Sequence, residues 1–493
     1  MGRHGSQGRL AGKVQSAGEE LIEDGAGALR HLLPPEQVER AVEAEGVGFR
    51  ACLFTPLVTL WAFLGQVLSA DGSCRGAVIR LLAFLAAGAG PAAGGPARRD
   101  PAHGPEDDGP DTGEGPDTGP YCKARARLPE GLVARLAKET GRGLHARYPA
   151  GGLLGGRRVK VVDGTTCSMP DTPANQKLWP QPPNQKPGLG FPLVRLVAVM
   201  SLHCAAVLDV ASGPYQGKQT GETALFRTLL DALEEGDVLL ADRFYASYWM
   251  IALLLARGVD SVMRQHQCRR ADFRGGRRLG HEDHVITMAR PPQRPEWMDE
   301  ATYERMPPEL GVRELRVRVC QRGFRVRVLV LVTTLLDAGA YSKGEIARAF
   351  RMRWHVELDL RAIKQTMRMS VLRCKSPDMV RKEIWMRLLA YNLIRTLMAR
   401  AAEREGIEPR EVSVAGAVQA VNAFAPVLEL ADEQDLPRLW EILLRVIARH
   451  RVGDRPGRFE PRAVKRRAKP IAWLTVPRNE ARGRMAKSGA ATC

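Results

Sequence analysis

Residues 237–242, DVLLAD, form an uninterrupted apolar run closed by an aspartate at each end. A strand with apolar residues on both faces belongs in the middle of a sheet that helices cover above and below, which points to an α/β fold. The neighbouring chain agrees. Residues 157–163 (RRVKVVD), 193–202 and 205–211 are rich in β-branched side chains and predict three strands before this one. A 3.6-residue period predicts a helix over 222–235, and 248–257 and 261–265 predict a further helix and strand. The order is three strands, helix, strand, helix, strand.

Basic, β-leaning sequence interrupts this pattern over 266–336 and ends in RVRVCQRGFRVRVLVLVTTLL. There Arg and Val alternate around Gly323 and predict a hairpin with one cationic face. Beyond it, FRMRWHVELDLRAIK at 350–364 predicts a helix. At about 100° per residue, Phe350, Arg353, Glu357, Arg361 and Lys364 share a stripe about 80° wide. Trp354, Val356, Leu358, Leu360 and Ile363 spread around the cylinder and predict burial on several sides. A charged stripe on such a helix needs a partner: a divalent metal suits the carboxylate and phosphate suits the cations. A solvated face with Arg353 paired to Glu357 is the alternative.

With 493 residues the chain is long enough for two to four structural units. Four short amphipathic segments, 19–33, 35–45, 56–69 and 74–85, are separated by Pro or Gly and predict an N-terminal helical domain over 1–87. Arg75 and Arg80 on one of them would suit DNA-end binding, and protein packing is equally compatible. Residues 88–120 hold 9 Gly, 7 Pro and seven acids against two Arg, the composition of a disordered acidic linker. It is either a tether or a phosphate mimic for a basic groove. The remaining expected divisions are 121–265, entered through a helix over 130–144, then the insertion 266–336, then 337–405, and a helical, basic segment 406–493. In the tail 451–493, 12 basic residues face 3 acids, with Trp473, Leu474 and Val476 interleaved, which predicts a docked segment contacting DNA or a partner subunit in place of a solvated tail.

Lys and Arg number 73 against 55 acids, giving a net charge of +18 and a pI near 9.8. Such a balance calls for a polyanionic partner, most commonly nucleic acid. No run reaches the roughly 18 uncharged apolar residues of a membrane span, and 53–68 reads as a buried helix. The start, MGRHGSQGRL, has no apolar core for a secretory signal, and its match to a myristoylation pattern is too short to count. Nine cysteines without a CxxC pair read as reduced thiols in a cytosolic protein.

Asp163 closes the first predicted strand, Asp242 the fourth, and Glu357 sits on a helix after the sheet. Neighbouring strand ends place carboxylates side by side, and three such acids can hold two Mg²⁺ or Mn²⁺ ions about 3.5 to 4 Å apart for phosphodiester cleavage. His266, Cys268, His281 and His284 match no standard zinc spacing. Residues 213–219 put Gln219 where a phosphate loop needs Ser or Thr. Asp171, Asp209 and Asp359 also lie near the core motifs; Asp359, about 160° from Glu357 around the helix, reads as a surface or structural residue.

The sequence VDGTT at 162–166, ADRFYAS at 241–247, and Phe350, Arg353, Glu357 and Lys364 at the spacing Tyr-x2-Arg-x3-Glu-x6-Lys resemble the insertion-sequence-four family of DDE transposases. The likeness runs from 121 to 484 and includes 376–395 and the basic stretch 455–470. It departs where Phe350 replaces Tyr and so lacks the hydroxyl, and where the acidic linker adds length. The resemblance implies a ribonuclease-H-like mixed sheet flanked by helices, interrupted by a β-rich insertion and preceded by a helical domain. It implies Asp163, Asp242 and Glu357 as catalytic and metal-binding acids. Phe350, Arg353, Arg361, Lys364, Lys465, Arg466 and Arg467 would contact DNA, and Trp297 would stack on a flipped base or simply pack. The implied activity is cleavage at terminal inverted repeats of double-stranded DNA and strand transfer into target DNA, by a homodimer in a synaptic complex in the bacterial cytoplasm at the nucleoid. A catalytically inert DNA-binding regulator and a metal-dependent nuclease without strand transfer are the alternatives.

Overall fold

Among the described residues nine strands make one sheet: β1 (Val159–Ser168), β2 (Leu193–Ser201), β3 (Val207–Pro214), β4 (Val238–Ala241), β5 (Asp260–Arg264), β6 (Arg277–Gly280), β7 (Asp283–Ala289), β8 (Glu309–Arg318) and β9 (Val328–Thr333). Their order is β3-β2-β1-β4-β5-β9-β8-β7-β6. The computed structural model describes residues 32–46, 53–88, 116–148, 152–319, 328–432, 434–453 and 473–487. Two compact units divide the chain, Met1–Thr140 with Arg381–Arg451, and Gly141–Val380 with Val452–Cys493.

The sheet belongs to the second unit. β1, β2 and β3 are antiparallel neighbours, and β4 and β5 run parallel to β1 on its other side. This is the ribonuclease-H-like α/β arrangement that the family resemblance implies. All four residues of β4 are buried, as an apolar strand at the centre of a covered sheet must be. Three details differ from the sequence reading. β1 does not end at Asp163 but continues to Ser168, because its far half keeps pairing with β2 after β4 has stopped at Ala241. A short helix, Pro173–Leu178, lies between β1 and β2, and the Thr172 hydroxyl accepts from Asn175 N at 3.2 Å to cap it. The helix expected over 222–235 is only Glu222–Arg227, followed by one tight turn at Leu230–Ala232.

The strands of 266–336 extend the same sheet, since β9 pairs antiparallel with β5 from Val262↔Thr333 onward. Arg313 anchors them. Buried in β8, it grips Asp283 of β7 through Nε (2.7 Å) and Nη2 (2.6 Å), and donates Nη1 to Tyr341 O at 2.8 Å. Arg316, one of the alternating arginines, pairs with Glu282. The turn at Gly323 lies outside the described residues.

The first unit is helical, with Pro35–Ala44, Pro56–Leu68, Cys74–Gly88, Gly119–Arg127, Val414–Glu429 and Leu436–Arg449. Gln66 Oε1 accepts from both Tyr121 Oη (2.8 Å) and Arg125 Nη1 (3.0 Å), tying the second helix to the fourth. Arg381 Nε donates to Glu130 at 2.7 Å and Asn392 Nδ2 to Ala137 O at 2.9 Å. Nearly all of 19–33 and residues 89–115 of the expected linker lie outside the described residues.

Candidate active site

The parallel pairing of β1 with β4 runs Val159↔Val238, Lys160↔Leu239, Val161↔Leu240. Two more steps along that register bring Asp163 level with Asp242 on adjacent strands, whose backbones are roughly 4.8 Å apart. Asp242 is the first residue beyond β4 and opens the tight turn Arg243–Tyr245. Asp163 Oδ1 accepts from Gly164 N at 2.8 Å.

Glu357 comes from a helix that is not continuous with Phe350. Lys343–Met352 and His355–Gln365 are separate helices joined at Arg353–Trp354. Across the join the backbone switches to i→i−3 bonds, Arg353 N to Phe350 O (3.1 Å), Trp354 N to Arg351 O (3.2 Å), Val356 N to Arg353 O (3.0 Å) and Glu357 N to Trp354 O (3.3 Å). This tighter winding, about 3.0 residues per turn, breaks the single stripe expected from an ideal helix. Phe350 and Arg353 are buried, Glu357 and Lys364 are half-buried, and Arg361 is exposed. The apolar residues are sorted as well: Val356, Leu360 and Ile363 face the core, whereas Trp354 and Leu358 are 46% and 49% exposed. Burial on several sides is therefore replaced by an ordinary one-sided helix.

Arg353 bridges two of the acids, with Nη1 3.5 Å from Asp163 Oδ2 and Nη2 3.4 Å from Glu357 Oε1. Burial pushes the Asp163 carboxyl up to about 6, and Glu222 and Glu357 add to that while the Gly164 N–H and Arg353 oppose it. Glu222, which the motif reading passed over, belongs to the same neighbourhood. Its carboxyl is also raised, first by burial and then by Asp242, with Arg195 acting against both. Tyr245, three residues after Asp242, is buried, and its hydroxyl has no hydrogen-bond partner among the described residues. Burial holds that hydroxyl well above the usual tyrosine range, and Glu222, Asp163 and Asp242 strengthen the effect. A carboxylate opening the helix after the third strand, and the Tyr inside ADRFYAS, were the signals available in the sequence.

As the side chains lie, no group of three His, Cys, Asp or Glu among the described residues is placed to hold an ion. Between Asp163 and Glu357 stands the Arg353 guanidinium. The donor chemistry still suits a divalent cation: hard oxygens on rigid elements, a half-buried carboxylate offset by one long ion pair, and an orphan hydroxyl. His284 is committed elsewhere, with Nε2 3.2 Å from Glu314 Oε2 and Nδ1 2.6 Å from Gly275 O. Asp171 accepts from Gln176, Asp209 Oδ1 from Val210 N, and Asp359 is buried and not on the surface. Trp297 is half-buried under the Arg227 guanidinium, 4.0 Å from its ring centroid. Trp473 is 77% exposed. Lys465, Arg466 and Arg467 lie outside the described residues.

A ribonuclease-H-like sheet with two aspartates level on its central parallel strands and a glutamate on a following helix defines the class of DDE transposases. The family described as "Transposase DDE domain" matches residues 154–393. The transposase InsG for insertion sequence element IS4 of Escherichia coli (strain K12) is 29% identical over 363 residues, 72% of this chain and 78% of that one. The transposase for insertion sequence element IS421 of Escherichia coli is 35% identical over 65 residues, 13% of this chain and 18% of that one. A solved piggyBac transposase synaptic complex with hairpin DNA aligns with 87% of this chain and 86% of its own, with a TM-score of 0.40 and 8% identity. The chain is thus similar to the insertion-sequence-four (IS4) family of DDE transposases, enzymes of DNA cleavage and strand transfer that use divalent metal ions. No helix of the described residues is long and apolar enough to cross a membrane.

Proposed function

We propose that Asp163, Asp242 and Glu357 are the catalytic acids of this transposase and that they hold two Mg²⁺ or Mn²⁺ ions. The observation that carries this reading is the register that levels Asp163 with Asp242 beside a helix tethered by Arg353 to both Asp163 and Glu357. Bound there, divalent ions supply activation of the attacking oxygen and stabilisation of the leaving oxygen in an in-line phosphoryl transfer. The chain itself binds and orients the DNA. Arg353 exchanges its long carboxylate contacts for a phosphate that its fork fits better, and Lys364 and Arg361 add point and fork charges along the same helix. Phe350 lies under Arg353, 5.7 Å from ring centroid to guanidinium, and so serves to position it. The basic tail, with Lys465, Arg466 and Arg467, adds backbone attraction.

The enzyme binds the terminal inverted repeats of its element in the bacterial cytoplasm, hydrolyses a phosphodiester at each end, and uses each freed 3′-hydroxyl to attack target DNA. Two ends have to be held together, so the synaptic complex contains at least a dimer. The helices of 1–87 act in end binding, and 266–336 lines the DNA-facing side of the site. The test is cleavage of a labelled linear DNA carrying the element's end, with Mg²⁺. Asp163→Ala, Asp242→Ala and Glu357→Ala should each abolish nicking while end binding persists. Retained cleavage in any of them removes that residue from the set, and binding without cleavage by the wild type would make the protein a DNA-binding regulator.

A further inference from the structure

Glu222 opens the helix Glu222–Arg227, between β3 and β4, and lays its carboxylate directly against β1. A glycine makes the room. A Cβ on Gly164 would fall 2.5 Å from both Cδ and Oε1 of Glu222 and 2.8 Å from its Cγ, so no larger residue fits after Asp163 while that carboxylate stays in place. An acid in a helix's first turn is commonly a partner for the helix dipole. Here the helix has only 6 residues, and a dipole contact requires no glycine on the opposing strand.

The placement of Glu222 is costly by itself. It crowds a half-buried carboxylate towards Asp163 and Asp242, whose charges bear on it or on its surroundings. Arg195 of β2 offsets part of this, yet its Nη1 is already donated to Thr220 O at 2.8 Å. Tyr245 supplies an independent sign. Its side chain is 1% exposed, wedged edge-on against Phe226 at 5.5 Å, with a hydroxyl that meets no partner among the described residues. The carboxylates nearest in effect to that hydroxyl are Glu222, Asp163 and Asp242. Leaving a buried hydroxyl unbonded is destabilising, because the group has given up water and gained no partner. An unsatisfied donor within electrostatic reach of three carboxylates is free to bond one of them once a cation draws the acids together.

We propose that the acid set of this transposase numbers four: Glu222 joins Asp163 and Asp242 as a ligand for a divalent cation, and the Tyr245 hydroxyl donates to that set. The proposal rests on the assignment of Asp163 and Asp242 given above. It also accounts for Gly164, since an empty Cβ position beside Asp163 is what admits the fourth carboxylate.

The test titrates full-length, metal-free protein with Mn²⁺ and reads free Mn²⁺ by electron paramagnetic resonance, for wild type, Asp163→Asn, Glu222→Gln and Glu222→Asp. Thermal melting in EDTA accompanies each. Glu222→Gln should weaken Mn²⁺ binding at least about tenfold while its metal-free melting temperature holds or rises, because a like charge has been removed. A purely structural Glu222 would instead lower the melting temperature and leave Mn²⁺ affinity alone. If Asp163→Asn loses Mn²⁺ and Glu222→Gln binds as wild type does, the site has three acids and the proposal fails. If neither variant loses Mn²⁺, the assignment of Asp163 falls, and the fourth acid with it. Should Glu222→Gln fail to fold, Glu222→Asp decides the matter: the shortened side chain binds Mn²⁺ more weakly if Glu222 is a ligand, and equally well if it is not.

Discussion

Arg353 Nη1 lies 3.5 Å from Asp163 Oδ2, longer than the 2.7 to 2.9 Å or so of a strong charge-assisted bond. The guanidinium is near enough to neutralise the acids and too far to be committed to them. It therefore competes with a cation for the same carboxylates.

Arg353→Gln is expected to bind Mn²⁺ several-fold more tightly than wild type, because the competing charge is gone. The same substitution should weaken binding of the element's end and depress cleavage. Calorimetric Mn²⁺ titration against filter binding of labelled DNA separates the two effects. Unchanged Mn²⁺ affinity would mean that Arg353 does not occupy the cation's place.

Two groups, half-buried Asp163 and buried His145, change stability in opposite senses as pH falls below neutrality. Burial raises Asp163 from 3.8 to about 6, so the folded chain holds that proton more tightly and gains stability as pH falls through 6. His145, 3.0 Å from Ser201 Oγ, is lowered from 6.5 to about 4 by burial and by Lys160, so stability is lost as pH falls from 6.5 towards 4. Between pH 7 and 5 these contributions are roughly +1 and −2 kcal/mol. In urea unfolding with EDTA, Asp163→Asn should be more stable than wild type at pH 7 and should lose more stability on going to pH 5. His145→Gln should lose less. Parallel pH dependences in all three proteins would show that neither group is perturbed.

The strands β6, β7 and β8 share the core sheet, and Arg313 holds them there. Removing one partner of a buried ion pair costs about 3 to 5 kcal/mol, so Arg313→Ala should lower the melting temperature markedly. A melt that splits into two transitions, with the core unaffected, would instead make 266–336 a separate module.

The central strand, both aspartates and the glutamate were legible in the sequence because each rests on a local pattern: an apolar run between charges, and three short motifs. The break at Arg353–Trp354 was not legible, since a 3.6-residue period carries no mark of a turn that winds more tightly. Tertiary packing, and not periodicity, decided that Phe350 is buried and Trp354 is exposed. Glu222 was hidden for another reason. Its significance depends on the missing Cβ of Gly164, on a strand 58 positions earlier in the sequence, and long-range complementarity of that kind leaves no local signature.

On the helix that carries Glu357, the exposed side is marked by Trp354, Leu358, Arg361 and Gln365, spaced four, three and four residues apart. Leu358, Arg361 and Gln365 share one face of that helix, and the exposed Trp354 lies in the join that opens it. Water is a poor neighbour for a half-exposed indole and leucine, and Arg361 supplies the charge that draws a phosphate backbone to the same strip. DNA laid along it would stack a base or sugar on Trp354 while Arg361 meets a phosphate. Trp354→Ala is therefore expected to weaken end binding by about 1 to 3 kcal/mol, the worth of one aromatic–base contact. Arg361→Ala should lower the slope of log affinity against log salt by about 1. Neither should alter Mn²⁺ affinity. Tryptophan fluorescence offers a direct check: wild type should quench on adding the end DNA and Trp354→Phe should lose that component, whereas an unchanged quench would place the DNA on another face.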